Sequence, residues 1–185
     1  MTDFISIEKV YGILEDAIAP EGLIESFPLE KALGRILAET LTSPGDVPPF
    51  NNSAMDGFAF KSDELQKGAT VRLFVKGTSY AGTPWKGKLA SGEAIRIMTG
   101  AATPEGADTV IPFERTETVD ENGSTFVVFS AERVRPNENV RIRGEELHAG
   151  DAVMEPGIVL TPAYLGLAAS LGRASLRCRR LRVAA

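Results

Sequence analysis

Between Asp46 and about Gly150, glycine and proline recur so often that no helical periodicity of useful length survives. That punctuation excludes a long helix from the middle of the chain and leaves short strands and turns. Val71, Leu73 and Val75 alternate, as do Ile95 and Ile97, and Val110-Ile111 forms a short apolar run. Thr116 to Val119 and Thr125 to Phe129 flank Asn122-Gly123, a pair suited to the positive φ of a two-residue hairpin turn. Residues 45–150 are therefore expected to form an all-β module of short strands, barrel- or sandwich-like.

The flanks read differently. Ile7, Val10, Leu14 and Ile18 recur at helical spacing, widened by Tyr11 and Ala17, with Ser6 as cap and Pro20 as stop. Gly12 weakens this helix, so its stability calls for a partner surface. A short helix fits Leu29 to Leu33, and Arg35 to Thr42 alternates loosely like a strand until Ser43-Pro44-Gly45 breaks it. Past Gly150, Val153 to Leu160 reads as strand and turn. Thr161 and Pro162 then open a helix with Leu165, Ala168 and Ala169 on its apolar face, and Gly172 closes it. Leu176, Cys178, Leu181 and Val183 alternate with Arg177, Arg179, Arg180 and Arg182 nearby, which predicts a strand with a solvated basic face and a buried Cys178. The expected fold class is α+β, mainly β. An N-terminal helix (1–20) and a small mixed α/β domain from both flanks (21–44 and 151–185) carry the inserted β domain (45–150).

A net charge of −5 argues against nucleic acid as a partner. A single cysteine permits no internal disulfide, no signal-peptide pattern opens the chain, and no apolar run reaches membrane-spanning length. These features give the expectation of a soluble cytoplasmic protein without membrane or nucleic-acid partners. The lone His148 cannot by itself build a zinc site.

Three polar clusters in the β module can carry chemistry. Asn51-Asn52-Ser53 leads to Asp56, which stands before Gly57 and the strand-like Phe58-Ala59-Phe60. The glycine allows a close backbone approach or a positive φ, and alone the segment also fits a plain turn capped by Asp56. Arg96-Ile97-Met98-Thr99-Gly100-Ala101 offers a hydroxyl and backbone N–H groups at a strand end, a concavity suited to an anion. In Asn139-Val140-Arg141-Ile142-Arg143-Gly144-Glu145-Glu146, Arg141 and Arg143 would share one side of a strand and clamp a phosphate. Glu145 and Glu146 are alternative, surface partners for those arginines.

Taken together, Asn-Ser-Ala-Met-Asp-Gly-Phe-Ala, Arg-Ile-Met-Thr-Gly-Ala, Asn-Val-Arg-Ile-Arg-Gly-Glu-Glu and Leu-Gly-Leu-Ala-Ala-Ser-Leu-Gly resemble the molybdopterin molybdenumtransferase family, which includes MoeA and the E domain of gephyrin. The resemblance implies insertion of molybdenum from molybdate into adenylated molybdopterin with release of AMP. It also implies an elongated homodimer of four-domain subunits, with the site between the β domain of one subunit and the catalytic α/β domain of the other. Asp56 matches a functional acid of that cleft and Thr99 a threonine on the same wall. Glu146 stands where the family often has Asp, and Phe58 replaces a common Tyr. Because molybdate, the pyrophosphate link and AMP are anions, Asp56 and Glu146 are expected to act through a bridging Mg²⁺. Ser53, Thr99, Gly100, Arg141 and Arg143 are expected to bind substrate.

The family's catalytic α/β domain has no counterpart before Ala185, so the chain is expected to supply one wall of the site and dimer contacts, and to be weak or inactive alone. Two rivals stand beside this: a non-catalytic dimerisation or scaffold module, and a self-contained metal-dependent hydrolase using Asp56 and Glu146.

Overall fold

A computed structural model describes residues 5–17, 24–67 and 69–179. Within it the chain divides into two compact units, one from the residues up to Pro44 and from Gly150 onward, the other spanning Gly45–Ala149.

The first unit holds helix α1 (Ile7–Ala17), strands β1 (Ile24–Pro28), β2 (Ile36–Leu37) and β3 (Leu41–Thr42), then β12 (Ala152–Met154), helix α2 (Pro162–Ser170) and β13 (Ser175–Arg179). Ser6 caps α1 as expected, its hydroxyl accepting from the Lys9 amide at 3.3 Å. The apolar stripe of α1 is exposed at Ile7, Tyr11 and Leu14, while Ile18 and Pro20 lie outside the described residues. An antiparallel sheet orders β1-β13-β2, and β3 pairs with β12.

Several local expectations change here. The segment from Leu29 forms one 3₁₀ turn, Leu29–Lys31, rather than a helix reaching Leu33. The strand expected over Arg35 to Thr42 splits into β2 and β3, which join different ladders. Strand β1 carries no alternating sequence signal, because apolar Ile24 lies on its exposed face, out of phase with Phe27, and Pro28 ends it. At the other end α2 is capped as expected, with Thr161 Oγ1 accepting from the Tyr164 amide at 3.5 Å. Of its anticipated apolar face only Ala168 is fully buried. In β13 Leu176 and Cys178 are buried while Arg177 is exposed, so the alternation read for this strand holds through Arg179. Leu181 and Val183 lie outside the described residues.

In the second unit β4 (Asn52–Ser53), β5 (Gly57–Phe60), β6 (Thr70–Ser79), β7 (Glu93–Ile97), β8 (Thr109–Pro112), β9 (Glu117–Glu121), β10 (Ser124–Ser130) and β11 (Val140–Arg141) follow in order. A six-stranded sheet runs β8-β5-β7-β6-β10-β9, and β11 pairs with β4. The β9–β10 hairpin turns at Asn122 (φ 51°) and Gly123 (φ 78°), the left-handed pair that its sequence demands. Strands β6 and β7 are parallel, which the alternation of their apolar residues cannot reveal.

Phe58, Phe60, Val71, Leu73, Ala94, Ile111, Val127 and Phe129 pack together as one core. Ala59, Ile97, Ala101 and Val110 pack on the opposite face of β5. All four residues of β5 are buried, so this short strand is covered on both faces and rigidly placed. The fold is α+β and mainly β. Among the described residues no helix is long and apolar enough to cross a membrane.

Candidate functional site

Asp56 sits immediately before β5, where the strand's rigid end meets two neighbours. Its backbone carbonyl accepts from the Phe113 amide at 3.2 Å, just past β8. Its side-chain Oδ1 accepts from both the amide and the hydroxyl of Thr99, each at 2.7 Å, just past β7. Two donors on one oxygen stabilise the ionised form, and the Arg96 guanidinium adds to this, so the Asp56 carboxyl lies below its ordinary range. Among the described residues Oδ2 accepts nothing. The result is an exposed carboxylate, fixed through one oxygen and open at the other.

Gly57 is needed here for space rather than for positive φ. A Cβ on it would stand 2.0 Å from the Ile111 carbonyl oxygen of β8, so the close approach it permits is to a neighbouring strand. This packing decides where Asp56 can be.

The three polar motifs, well apart in sequence, are joined by backbone. Ser53 donates its amide to Ala101 and accepts from the Gly100 amide at 2.8 Å, and on its other side pairs with Val140. Thus β4 lies between the Thr99-Gly100 corner and the strand that carries Arg141. Ser53 itself is buried, its hydroxyl donating to the Met55 carbonyl at 2.5 Å. Ser53 therefore shapes the loop before Asp56, and direct substrate binding by its hydroxyl is not what the geometry supports.

The expectation that Thr99 and Gly100 present free amides to an anion is overturned. The Thr99 amide is taken by Asp56 and that of Gly100 by the Ser53 carbonyl. The paired arginine clamp is overturned as well, because β11 ends at Arg141 and Arg143 follows in the turn beyond it. Arg141 binds Glu145 at 2.9 Å and also Glu146, whereas Arg143 binds Asp46. The surface pairing of Arg141 with both glutamates is what the structure contains. Asp46 also accepts from the Ala149 amide at 3.0 Å, and this bond foremost, with Arg143, draws its carboxyl below the ordinary range.

Neither Arg96 nor Phe113 stands out from the sequence as a site residue. Arg96 faces Phe58 directly across the β5–β7 pair, and its guanidinium lies 4.9 Å from the Phe113 ring centroid. The local hint is an arginine set between Ile95 and Ile97 in β7. Phe58 meets Phe113 edge-on at 5.2 Å, so the phenyl ring at this position is satisfied by packing without a hydroxyl.

Among the described residues no three His, Cys, Asp or Glu side chains form a metal-binding cluster. The donors fit instead the way Mg²⁺ is commonly held, by one or two carboxylates together with substrate phosphates. Asp56 offers Oδ2 for this. Glu146 keeps one oxygen outside its bond to Arg141.

A β module carrying a fixed, open carboxylate at a three-way strand junction, inserted between two segments of a small mixed unit, defines the architectural class. Residues 5–172 match the model of the MoeA N-terminal region (domain I and II). The chain is 47% identical over 156 residues to a molybdopterin molybdenumtransferase of Haemophilus influenzae, covering 84% of this chain and 37% of that protein. It is 36% identical over 159 residues to the Bacillus subtilis molybdopterin molybdenumtransferase, covering 84% of this chain and 37% of that one. The crystal structure of the molybdopterin biosynthesis MoeA protein from Pyrococcus horikoshii superposes with a TM-score of 0.83 at 32% identity, over 96% of this chain and 45% of that one. The chain belongs to the MoeA N-terminal family. It spans little more than a third of the length of these curated relatives.

Proposed function

We propose that this chain supplies the Asp56 wall of a molybdenum-insertion site, in which molybdenum from molybdate enters adenylated molybdopterin and AMP leaves. The observation that carries this is Asp56 itself, locked through Oδ1 by both donors of Thr99 and open at Oδ2. A carboxylate so held stays charged at neutral pH and loses little side-chain freedom when it binds.

Asp56, with Glu146 as the second candidate ligand, would hold Mg²⁺; when bound, that ion neutralises charge between the carboxylate and the anionic substrates. Thr99 orients Asp56. Gly100 and Ser53 keep the Thr99 corner in register through their backbone bonds. Arg141 and Arg143, paired with acids in the structure, are held back as cations that an incoming oxyanion would have to win from Glu145, Glu146 and Asp46. The remaining catalytic groups are assigned to a further α/β domain of a partner subunit in a cytoplasmic homodimer, which makes this chain weak or inactive by itself.

The test is Asp56→Asn in the complete enzyme. Asn keeps an acceptor for Thr99 and removes only the charge, so the melting temperature is expected to stay level. AMP release from adenylated molybdopterin with molybdate and Mg²⁺ is expected to fall by about 100-fold or more. Near-normal turnover would refute the role.

A further inference from the structure

Beside Asp56 lies a surface depression of about 340 Å³ lined by Phe58, Arg96, Phe113, Thr116 and Thr118. Register explains why these groups meet. Phe58 and Arg96 are directly opposite on antiparallel strands, so their side chains leave the same face of the sheet. Asp56 lies in the bend just before β5, close enough to Arg96 for the two charges to attract. Phe113 then lies edge-on to Phe58 and beneath the Arg96 guanidinium.

Arg72, Arg115, Arg141 and Arg143 of this unit are each paired with a carboxylate. Arg96 has no hydrogen-bond or ion-pair partner among the described residues, and its side chain is exposed. A guanidinium resting on an aromatic face keeps its N–H edge directed away from the ring, in the planar fork that suits a tetrahedral oxyanion. Asp56 attracts Arg96 through space without a hydrogen bond, its Oδ1 being held by Thr99. The cation is therefore both oriented and available.

We propose that Arg96, steadied by Phe113, is the residue that binds a phosphate group of the substrate in this depression. The choice of phosphate rests on the function proposed above. Asp56 and Arg96 would then divide the work at one corner, the acid facing a cation and the arginine facing an oxyanion.

The experiment is calorimetric titration of this chain, at low ionic strength, with inorganic pyrophosphate and separately with molybdate. Pyrophosphate is expected to bind with a dissociation constant of roughly 1 mM, an affinity suited to one charge-assisted contact site. Arg96→Gln is expected to weaken it about 10-fold. Arg96→Lys, which keeps the charge but not the fork, is expected to weaken it about 3-fold. Arg72→Gln, a change at an arginine paired with Glu121, is expected to bind as the parent does. Circular dichroism establishes that each variant is folded, and the Lys variant keeps the test decisive if the Gln variant is not. Equal pyrophosphate binding by parent and Arg96 variants, no pyrophosphate binding by the parent, or tighter binding of molybdate than of pyrophosphate would each overturn the assignment. The assay reads no insertion chemistry. Full activity of Asp56→Asn with Arg96-dependent pyrophosphate binding would remove the catalytic proposal and leave the subsite, and the reverse pattern would do the opposite.

Discussion

Asp56 and Glu146 are both exposed carboxylates of the same β unit, and they are held by opposite means. Asp56 has a short side chain at the end of a doubly buried strand, and one of its two donors is a backbone amide whose place is set by the sheet. Glu146 has a longer side chain on a turn, and its partner is the long, part-exposed side chain of Arg141, itself shared with Glu145. Backbone donors impose a position at no extra entropic cost, whereas two long side chains must give up rotamer freedom to stay paired. Preorganisation therefore belongs to Asp56, and an acidic residue on a turn does not acquire it by proximity to an arginine.

The largest effect should come from the packing that places Asp56. Gly57→Ala would drive a methyl group to 2.0 Å from the Ile111 carbonyl oxygen. A loss of about 3 kcal/mol or more in denaturant unfolding is expected, with β5 and β8 forced apart. A loss below 1 kcal/mol, roughly the ordinary cost of a surface change, would mean the strand end is softer than the comparison requires.

A smaller effect is expected at Thr99. Thr99→Val deletes the hydroxyl donor but keeps the amide, so the Asp56 carboxyl should move up toward its ordinary value, measurable by NMR titration of the carboxyl carbon. The parent's depressed value means that Asp56 favours folding above the unfolded-state value of about 3.9, a contribution lost as pH falls through the lower folded-state value. Asp46 and Glu145 are depressed in the same direction, each first by a backbone donor, so stability should be level from neutral pH to about 5 and decline below about 4. A decline that sets in nearer pH 6 would point to other groups.

The smallest effect is assigned to the pair that distinguishes Glu146. Arg141→Gln should leave the melting temperature within experimental scatter, because its partners are exposed and screened. A clear drop would show that the Arg141 cluster is a structural support after all and would narrow the contrast with Asp56.

Legibility followed the range of the forces involved. The Asn122-Gly123 hairpin, the alternation of β6, and the cap and stop of α2 were all readable, since each depends on residues that touch along the chain. The segment Arg35 to Thr42 misled because its two halves join different ladders. Asp56 and Thr99 were legible as candidates, but their bond to each other was not. The anion-binding corner imagined at Thr99-Gly100 failed because nothing local says that Ser53 and Asp56 will claim those amides.

By itself the sequence determined the punctuated β middle, the mixed flanks and the polar motifs, because turn φ values, strand alternation and helix caps are short-range preferences. Tertiary structure alone decided that β6 and β7 run parallel, that Gly57 yields to a backbone carbonyl, and that Arg96 rests on Phe113 facing Phe58. Those outcomes are set by register and packing between strands far apart in the chain. No local preference encodes them, and a shift of one residue would turn each side chain to the other face.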